Sequence, residues 1–379
     1  MVADVLLVGG GTAGHVLPAI ATAQALERLR PGIDVEFAGL SGSLEERLVS
    51  AAGYPFSVVR ALPLPRRLTP QLLRVVPGVL GAVRHARALL AETGARGVVS
   101  FGGYVALPLS LAARGRVPLV LHEQNSRPGL ANRVASRSAS HIAVTFPSSA
   151  ERLRGRERVR IIGNPVQQHL RDLDVARRRD EAMERLALDP QRRTLLVLGG
   201  SQGARSINRA VAGAIDAWRA LGLQILHLTG ERGHEETLGW WRDAGADPDG
   251  DNGPVRVVPF MDDMSDAYAV ADLAVSRAGA TTIAELSVLG IPSVLVPYPH
   301  ATAQHQEGNA LALARCGAAV VVEDAALSPD VIATVVASIV EEPRRAVEMS
   351  RAARTWSRPD AAEALALVVL EAIGDVDGR

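Results

Sequence analysis

A chain of 379 residues is longer than one hydrophobic core usually serves, so two domains of roughly 150–200 residues are expected. Hydrophobic residues make up 47% but aromatics only 3%, which leaves the cores to Ala, Val, Leu and Ile and points to an α/β protein; the single Cys316 excludes an internal disulfide and a thiolate-rich metal site and suits a reducing, cytoplasmic compartment. The formal net charge of zero hides an asymmetry, because residues 1–165 hold 20 Arg against 10 Asp plus Glu and the remainder holds 21 against 31, with no lysine in either part, so the first half suits an anionic surface such as phospholipid or nucleic acid.

The chain opens on the aliphatic run Val5–Val8 with no basic leader or small-residue cleavage site before it, so no signal peptide is expected. A glycine turn and an amphipathic stretch over 16–29 follow. Residues 195–198, a glycine turn at 199–203 and a helical pattern over 207–221 repeat this plan in the second half. Further apolar runs lie at 35–37, 97–100, 118–121, 142–144 and 160–162, then at 225–228, 255–258, 273–275, 293–296 and 319–322. Helix-compatible segments separate most of them, the signature of parallel sheets in βαβ order, so two Rossmann-like domains are expected. The boundary is placed at Gly163-Asn164-Pro165-Val166, giving domains over 1–165 and 166–345. A helical tail over 346–379, broken at Pro359, is free to pack back on the first domain. Because open α/β sheets bind ligands at the carboxyl ends of their strands, the two domains are expected to face each other across a cleft.

Residues 66–90 mix apolar side chains with Arg66, Arg67, Arg74, Arg84 and Arg87 and contain no acid, which suits an interfacial patch on anionic lipid, with Pro77 and Gly78 expected to break its helix. No stretch approaches the roughly 20 uninterrupted apolar residues that span a bilayer, so membrane association is expected to be peripheral.

The first glycine turn, Gly9-Gly10-Gly11-Thr12-Ala13-Gly14-His15, contains a formal Gly-x-Gly-x-x-Gly. A dinucleotide fingerprint also needs an acidic residue at the end of the next strand, and that strand runs into Gly39-Leu40, which argues against a nicotinamide-dependent oxidoreductase. A glycine turn into a helix N-terminus still suits a phosphate, and His15 at its mouth is placed to accept a proton. The second turn offers Ser201 and another helix N-terminus, either as an anion site or as a plain helix cap. Two such loops favour a nucleotide diphosphate. In Ser276-Arg277-Ala278-Gly279-Ala280-Thr281-Thr282-Ile283-Ala284-Glu285-Leu286, small residues let the backbone approach a pyrophosphate, and Glu285, one turn into a helix, can accept both hydroxyls of a ribose. Polar Gln304, His305 and Gln306 follow the next strand.

These residues carry a resemblance. From residue 7 to 317 the chain resembles the MurG family of peptidoglycan N-acetylglucosaminyltransferases, in Gly10 to His15, Phe101-Gly102-Gly103-Tyr104-Val105, His122-Glu123-Gln124-Asn125, Gly163-Asn164-Pro165-Val166, Gly199-Gly200-Ser201-Gln202-Gly203-Ala204, Phe260-Met261-Asp262-Asp263-Met264 and the Glu285 segment. The resemblance implies a glycosyltransferase B-type fold, with UDP-N-acetylglucosamine as donor and undecaprenyl-pyrophosphoryl-muramoyl-pentapeptide (lipid I) as acceptor. Ser201 and Ala280, Thr281 and Thr282 would meet the pyrophosphate, with Ile283 and Ala284 completing that donor-binding segment, the Met261 backbone the uracil, Glu285 the ribose, and Gln304 and Gln306 the sugar. Thr12, Ala13, Gly14 and Asn125 would close on the donor from the first domain, His15 would be the general base, and Tyr104 and Glu123 would line the acceptor pocket. Helix N-termini and loop amides stabilise the leaving UDP in this fold, so neither a cofactor nor an obligatory metal is implied.

The same resemblance implies work at the cytoplasmic face of the membrane, with other cell-wall synthesis proteins as partners and no nucleic acid. Ala13 stands where the family usually has glycine, which predicts a less permissive first loop. Gln167 stands where an arginine commonly follows Gly-Asn-Pro-Val. The scaffold also admits another B-type glycosyltransferase, such as one acting on diacylglycerol, or a sugar-nucleotide epimerase. A non-catalytic basic membrane module would need none of His15, Asn125 and Glu285.

Overall fold

The computed structural model describes residues 3–61, 71–200, 203–248 and 253–375. It divides into two units, Met1–Gln168 with Arg358–Arg379, and His169–Ser357.

In the first unit the aliphatic runs form a seven-stranded parallel sheet in the order β3-β2-β1-β4-β5-β6-β7. The strands are β1 (Val5–Val8), β2 (Val35–Gly39), β3 (Phe56–Val58), β4 (Gly97–Ser100), β5 (Leu119–Glu123), β6 (His141–Val144) and β7 (Val159–Ile161). The connecting helices are α1 (Ala13–Leu29), α2 (Leu44–Ala51), α3 (Gln71–Thr93), α4 (Ala106–Ala113), α5 (Leu130–Ala135) and α6 (Pro147–Ala150). Both faces are covered, which is why β1 reads as continuous hydrophobic sequence. Val5 and Leu7 join a core with Val16, Ile20 and Leu26 of α1, while Leu6 and Val8 join Ala86 and Leu90 of α3 and Leu109 of α4.

One strand goes unread in the sequence and one expectation fails here. The edge strand β3 has no sequence signal, being three part-exposed residues. The helix expected to break at Pro77 and Gly78 instead runs unbroken through them as α3. Pro77 is exposed and Gly78 half-buried, and the helix carries the proline at the cost of the one intrahelical hydrogen bond that its missing N–H would donate. Residues 66–70 lie outside the described residues.

The second unit has a six-stranded parallel sheet in the order β10-β9-β8-β11-β12-β13, repeating the order of the first sheet without its last strand. Its strands are β8 (Arg193–Leu198), β9 (Leu223–Leu228), β10 (Val255–Val258), β11 (Ala271–Ser276), β12 (Ser293–Leu295) and β13 (Ala319–Val321). Its helices are α7 (Gln168–Arg171), α8 (Val175–Arg185), α9 (Arg205–Ala212), α10 (Ile215–Ala220), α11 (His234–Asp243), α12 (Ser265–Val270), α13 (Ala280–Leu289), α14 (His305–Arg315), α15 (Pro329–Val340) and α16 (Pro343–Trp356). The single helix expected over 207–221 is two, α9 and α10, parted at Gly213 and Ala214. A Cβ on Gly213 would come within 2.8 Å of Pro329 Cγ, and the Val211 carbonyl at the break accepts both the Ala214 N–H (3.2 Å) and the Trp218 indole (2.8 Å).

The last helix, α17 (Ala361–Ala372), belongs to the first unit and packs along α1. Leu365, Val369 and Leu370 enter the same core as Ile20 and Leu26. Arg160 adds a bidentate pair to Glu371 (2.6 and 2.8 Å). In each sheet the order reverses beside its first strand, so the loops leaving β1 and β4, and those leaving β8 and β11, flank a switch point where such sheets take ligands.

Candidate functional site

In the first unit the loops after β1 and β4 are pressed together. Gly103 has φ +82°, and a Cβ there would overlap the Gly10 carbonyl oxygen. That same oxygen lies 3.0 Å from Nδ1 of His15, the third residue of α1, with Thr12 Oγ1 3.3 Å from the ring nitrogen. A carbonyl can only accept, so Nδ1 carries the proton, and in the neutral imidazole the lone pair falls to Nε2. His15 is thereby held as a potential proton acceptor. The Tyr104 ring lies beside Gly11, 3.6 Å from a Cβ built there. Ala13 is the first residue of α1 and is not among the positive-φ positions, so the expected loss of permissiveness does not arise: alanine suits a helical N1 position.

Glu123 ends β5 at 2% exposure. Its Oε1 accepts from the Asn125 backbone N–H (2.9 Å) and amide (3.4 Å), and its Oε2 accepts from Asn132 Nδ2 (2.8 Å). Burial lifts this carboxyl to about 7 although those donors pull it down. Glu123 therefore faces inward and shapes the loop that carries Asn125. Next to it, His122 is fully buried, donates from Nε2 to the Gly163 carbonyl (3.0 Å), and is pushed down to about 4 by burial, hence neutral. Gln167 is half-buried just before α7.

In the second unit Gly199, Gly200, Gly203 and Ala204 lead into α9, while Ser201 lies outside the described residues. A Cβ on Gly203 (φ +73°) would overlap the Thr229 carbonyl, so this loop sits directly against the end of β9. The chain then enters α13 through Gly279, an N-cap without a side chain, so Ala280, Thr281 and Thr282 present backbone N–H groups in the first turn. Ile283 is fully buried with Leu295 and Ala310, and Ala284 is buried too; these two hold the helix and offer a ligand nothing but backbone. Glu285, 6% exposed, accepts a hydrogen bond from Tyr268 Oη (2.6 Å), and burial raises it to about 7.

Met261 is half-buried in the loop after β10. Gln306 Oε1 accepts from the Tyr298 N–H (2.9 Å), which fixes the loop after β12. Ala303 and Gln304 both adopt φ +54°, strain of the kind that gathers where a loop is held for a ligand.

The sequence did not single out the residues that hold this loop system. Arg277, 9% exposed, donates to Asp324 Oδ1 (2.6 Å), Ser206 Oγ (2.8 Å) and the Val296 carbonyl (3.2 Å), and its guanidinium lies 5.4 Å from the Tyr298 ring centroid. It thus ties α9 and the segments after β11, β12 and β13 together. Asn309 Nδ2 donates to the Ala278 carbonyl (3.1 Å) from α14. An arginine between a buried strand and a run of small residues was the available signal.

Residues 5–144 match the glycosyltransferase family 28 N-terminal domain, and residues 194–365 match the C-terminal domain of the same family. The chain belongs to glycosyltransferase family 28. A Streptomyces avermitilis relative named UDP-N-acetylglucosamine--N-acetylmuramyl-(pentapeptide) pyrophosphoryl-undecaprenol N-acetylglucosamine transferase is 43% identical, covering 97% of this chain and 98% of its own. The crystal structure of Acinetobacter baumannii MurG superposes on the family 28 chain with a TM-score of 0.73 at 29% identity, over 97% of this chain and 99% of that one. The fold alone is shared with the UDP-GlcNAc 2-epimerase of Neisseria meningitidis bound to UDP-GlcNAc, with a TM-score of 0.68 at 12% identity over 97% and 99% of the two chains. Among the described residues no helix of the family 28 chain is long and apolar enough to cross a membrane.

Proposed function

We infer that this chain transfers N-acetylglucosamine from UDP-N-acetylglucosamine to lipid I, giving lipid II for peptidoglycan. The observation that carries the reading is 43% identity, over almost the whole of both chains, to a relative named for that transfer. In the expected chemistry His15 Nε2 takes the proton of the acceptor hydroxyl as its oxygen attacks the anomeric carbon. The bond from that carbon to the diphosphate oxygen breaks, UDP leaves with the electron pair, and the α-linked sugar becomes β-linked.

The second unit supplies the donor site. Backbone N–H groups of Ala280 to Thr282, with Ser201, meet the diphosphate and offset the charge that develops on it. Glu285 holds the ribose, the Met261 backbone the uracil, and Gln304 and Gln306 the sugar. In the first unit Thr12, Ala13 and Gly14 approach the donor, Tyr104 lines the acceptor side, and Glu123 acts by placing Asn125. Because the acceptor is anchored in lipid, the enzyme works as a peripheral protein on an anionic membrane at its cytoplasmic face.

The test is transfer of labelled N-acetylglucosamine to lipid I in the presence of EDTA, comparing wild type with His15→Ala and Glu285→Ala. Product from wild type and little from either variant supports the reading. UDP-N-acetylglucosamine binding with no transfer to lipid I would sink the acceptor assignment in favour of diacylglycerol or epimerisation.

A further inference from the structure

A line of buried polar side chains runs through the second unit beneath the loop that leaves β8. His227 on β9, Asn208 on α9, Thr229 just after β9, and Thr237 and Trp241 on α11 are each at most 1% exposed. Polar groups at that depth cost stability unless their donors and acceptors are paired, and an apolar set of the same volume would fill the space without that cost. Among the described residues none of the polar atoms in these five side chains is left over.

The pairing runs in one direction. The Trp241 indole N–H can only donate, and it gives its hydrogen to His227 Nδ1 (3.1 Å). The imidazole proton therefore sits on Nε2, which donates to Asn208 Oδ1 (3.1 Å). Burial, with His234 nearby, pushes His227 down to about 3, so the ring is neutral at neutral pH. With Oδ1 committed to the histidine, Asn208 turns its amide nitrogen to the Thr229 carbonyl (3.0 Å) and to Thr237 Oγ1 (3.1 Å). Thr237 passes its own hydrogen to the Gly233 carbonyl (2.6 Å). A reversed amide would set two oxygens against each other at Thr229 and two donors against each other at His227.

This line ends at the glycine loop. The Thr229 carbonyl that Asn208 holds is the one against which Gly203 (φ +73°) is packed, too closely for any Cβ. The Gly203 N–H closes the loop on the Gly200 carbonyl (2.9 Å). Asn208 itself stands one turn into α9, the helix that the loop opens, with its N–H on the Ala204 carbonyl (2.8 Å). The strand end that supports the loop and the helix that follows it are thus joined by one side chain. We propose that Asn208, oriented by His227, positions the 199–203 loop for the diphosphate of the donor. Both are positioning residues that act through the Thr229 carbonyl, and their role rests on the reading that this loop meets the diphosphate.

The test is binding of UDP and of uridine to the full chain, with thermal melting alongside, in wild type, Asn208→Leu, His227→Phe and His227→Gln. Uridine lacks the diphosphate, so a misplaced loop weakens UDP and leaves uridine as it was, whereas general loosening of the unit weakens both. Asn208→Leu and His227→Phe are expected to lose roughly tenfold in UDP affinity with uridine affinity unchanged, and His227→Gln, which keeps a donor toward Asn208, to recover most of that loss. A parallel loss of UDP and uridine, or a lowered melting temperature with UDP affinity intact, overturns the positioning role. So does a His227→Gln chain that binds UDP no better than His227→Phe, and this pair decides the matter where Asn208→Leu does not fold. Wild type that binds uridine as tightly as UDP would instead take the loop away from a diphosphate, sinking the donor-site reading and this role with it.

Discussion

Tyr268 Oη donates a 2.6 Å hydrogen bond to Oε2 of Glu285, and both side chains are buried. Burial lifts Glu285 from 4.5 to about 7, and the tyrosine pulls it part of the way back. A carboxyl whose folded value is raised favours the protonated form, so this group costs stability progressively as the pH rises from about 4.5 through about 7. Donor binding runs the other way, because ribose hydroxyls donate to a carboxylate. UDP affinity measured by calorimetry is therefore expected to rise across neutrality in wild type and to be flat in Glu285→Gln. In Tyr268→Phe the midpoint moves upward. A flat profile in wild type removes Glu285 from the ribose.

Gly103 needs a backbone that alanine resists, and its missing Cβ is what lets the Gly10 carbonyl stay against His15 Nδ1. Gly103→Ala is expected to shift that carbonyl and the imidazole with it, lowering kcat by about 100-fold, as for misplacement by about 1 Å. UDP affinity, which we propose rests mainly on residues of the second unit, is expected to change much less than kcat. Normal kcat would detach His15 from the base role or the loop contact from His15.

Arg277 forks between groups that a lysine cannot reach together. For Arg277→Lys the KM for the donor should rise roughly tenfold, equivalent to about 1.4 kcal/mol, with kcat changed much less. Arg277→Ala removes the counter-charge of part-buried Asp324 and leaves it the Ser206 hydroxyl, and should cost about 2 kcal/mol, below the figure for a fully buried pair because the two side chains are 10% and 22% exposed. A fall in thermal stability with no change in KM would make the arginine structural alone.

Truncation after Ser357 removes α17 and uncovers α1. Burial of Leu365, Val368, Val369 and Leu370 contributes about 6–12 kcal/mol, comparable to the net stability of a whole domain. The first unit should lose its cooperative melting transition, while UDP binding by the second persists. A truncated chain that retains both transitions would show that the helix is dispensable.

Nearly every strand was legible because doubly covered parallel strands are continuous aliphatic runs, as in β1, β4 and β8. β3 was not, since a three-residue edge strand buries too little to need a pattern. The break at Gly213 depends on the approach of Pro329, more than a hundred residues away, and no local propensity encodes it. At the site, glycine turns and Glu285 were readable from residue type and spacing. Tyr268, Asn132, Asp324 and Ser206 were not, because each matters through a partner brought to it by the sheet. Ile283 lies within the same motif as Glu285 with its side chain in the core, so only its backbone is left for a ligand.

The helix that covers α1 is encoded after the whole of the second unit. During vectorial synthesis the first sheet leaves the ribosome early but keeps an uncovered apolar flank until residues 361–372 emerge. The second unit has then already had time to form, so the half of the chain made first is the half completed last. Throughout that interval the nascent first unit is the part most exposed to misassociation and most in need of a chaperone.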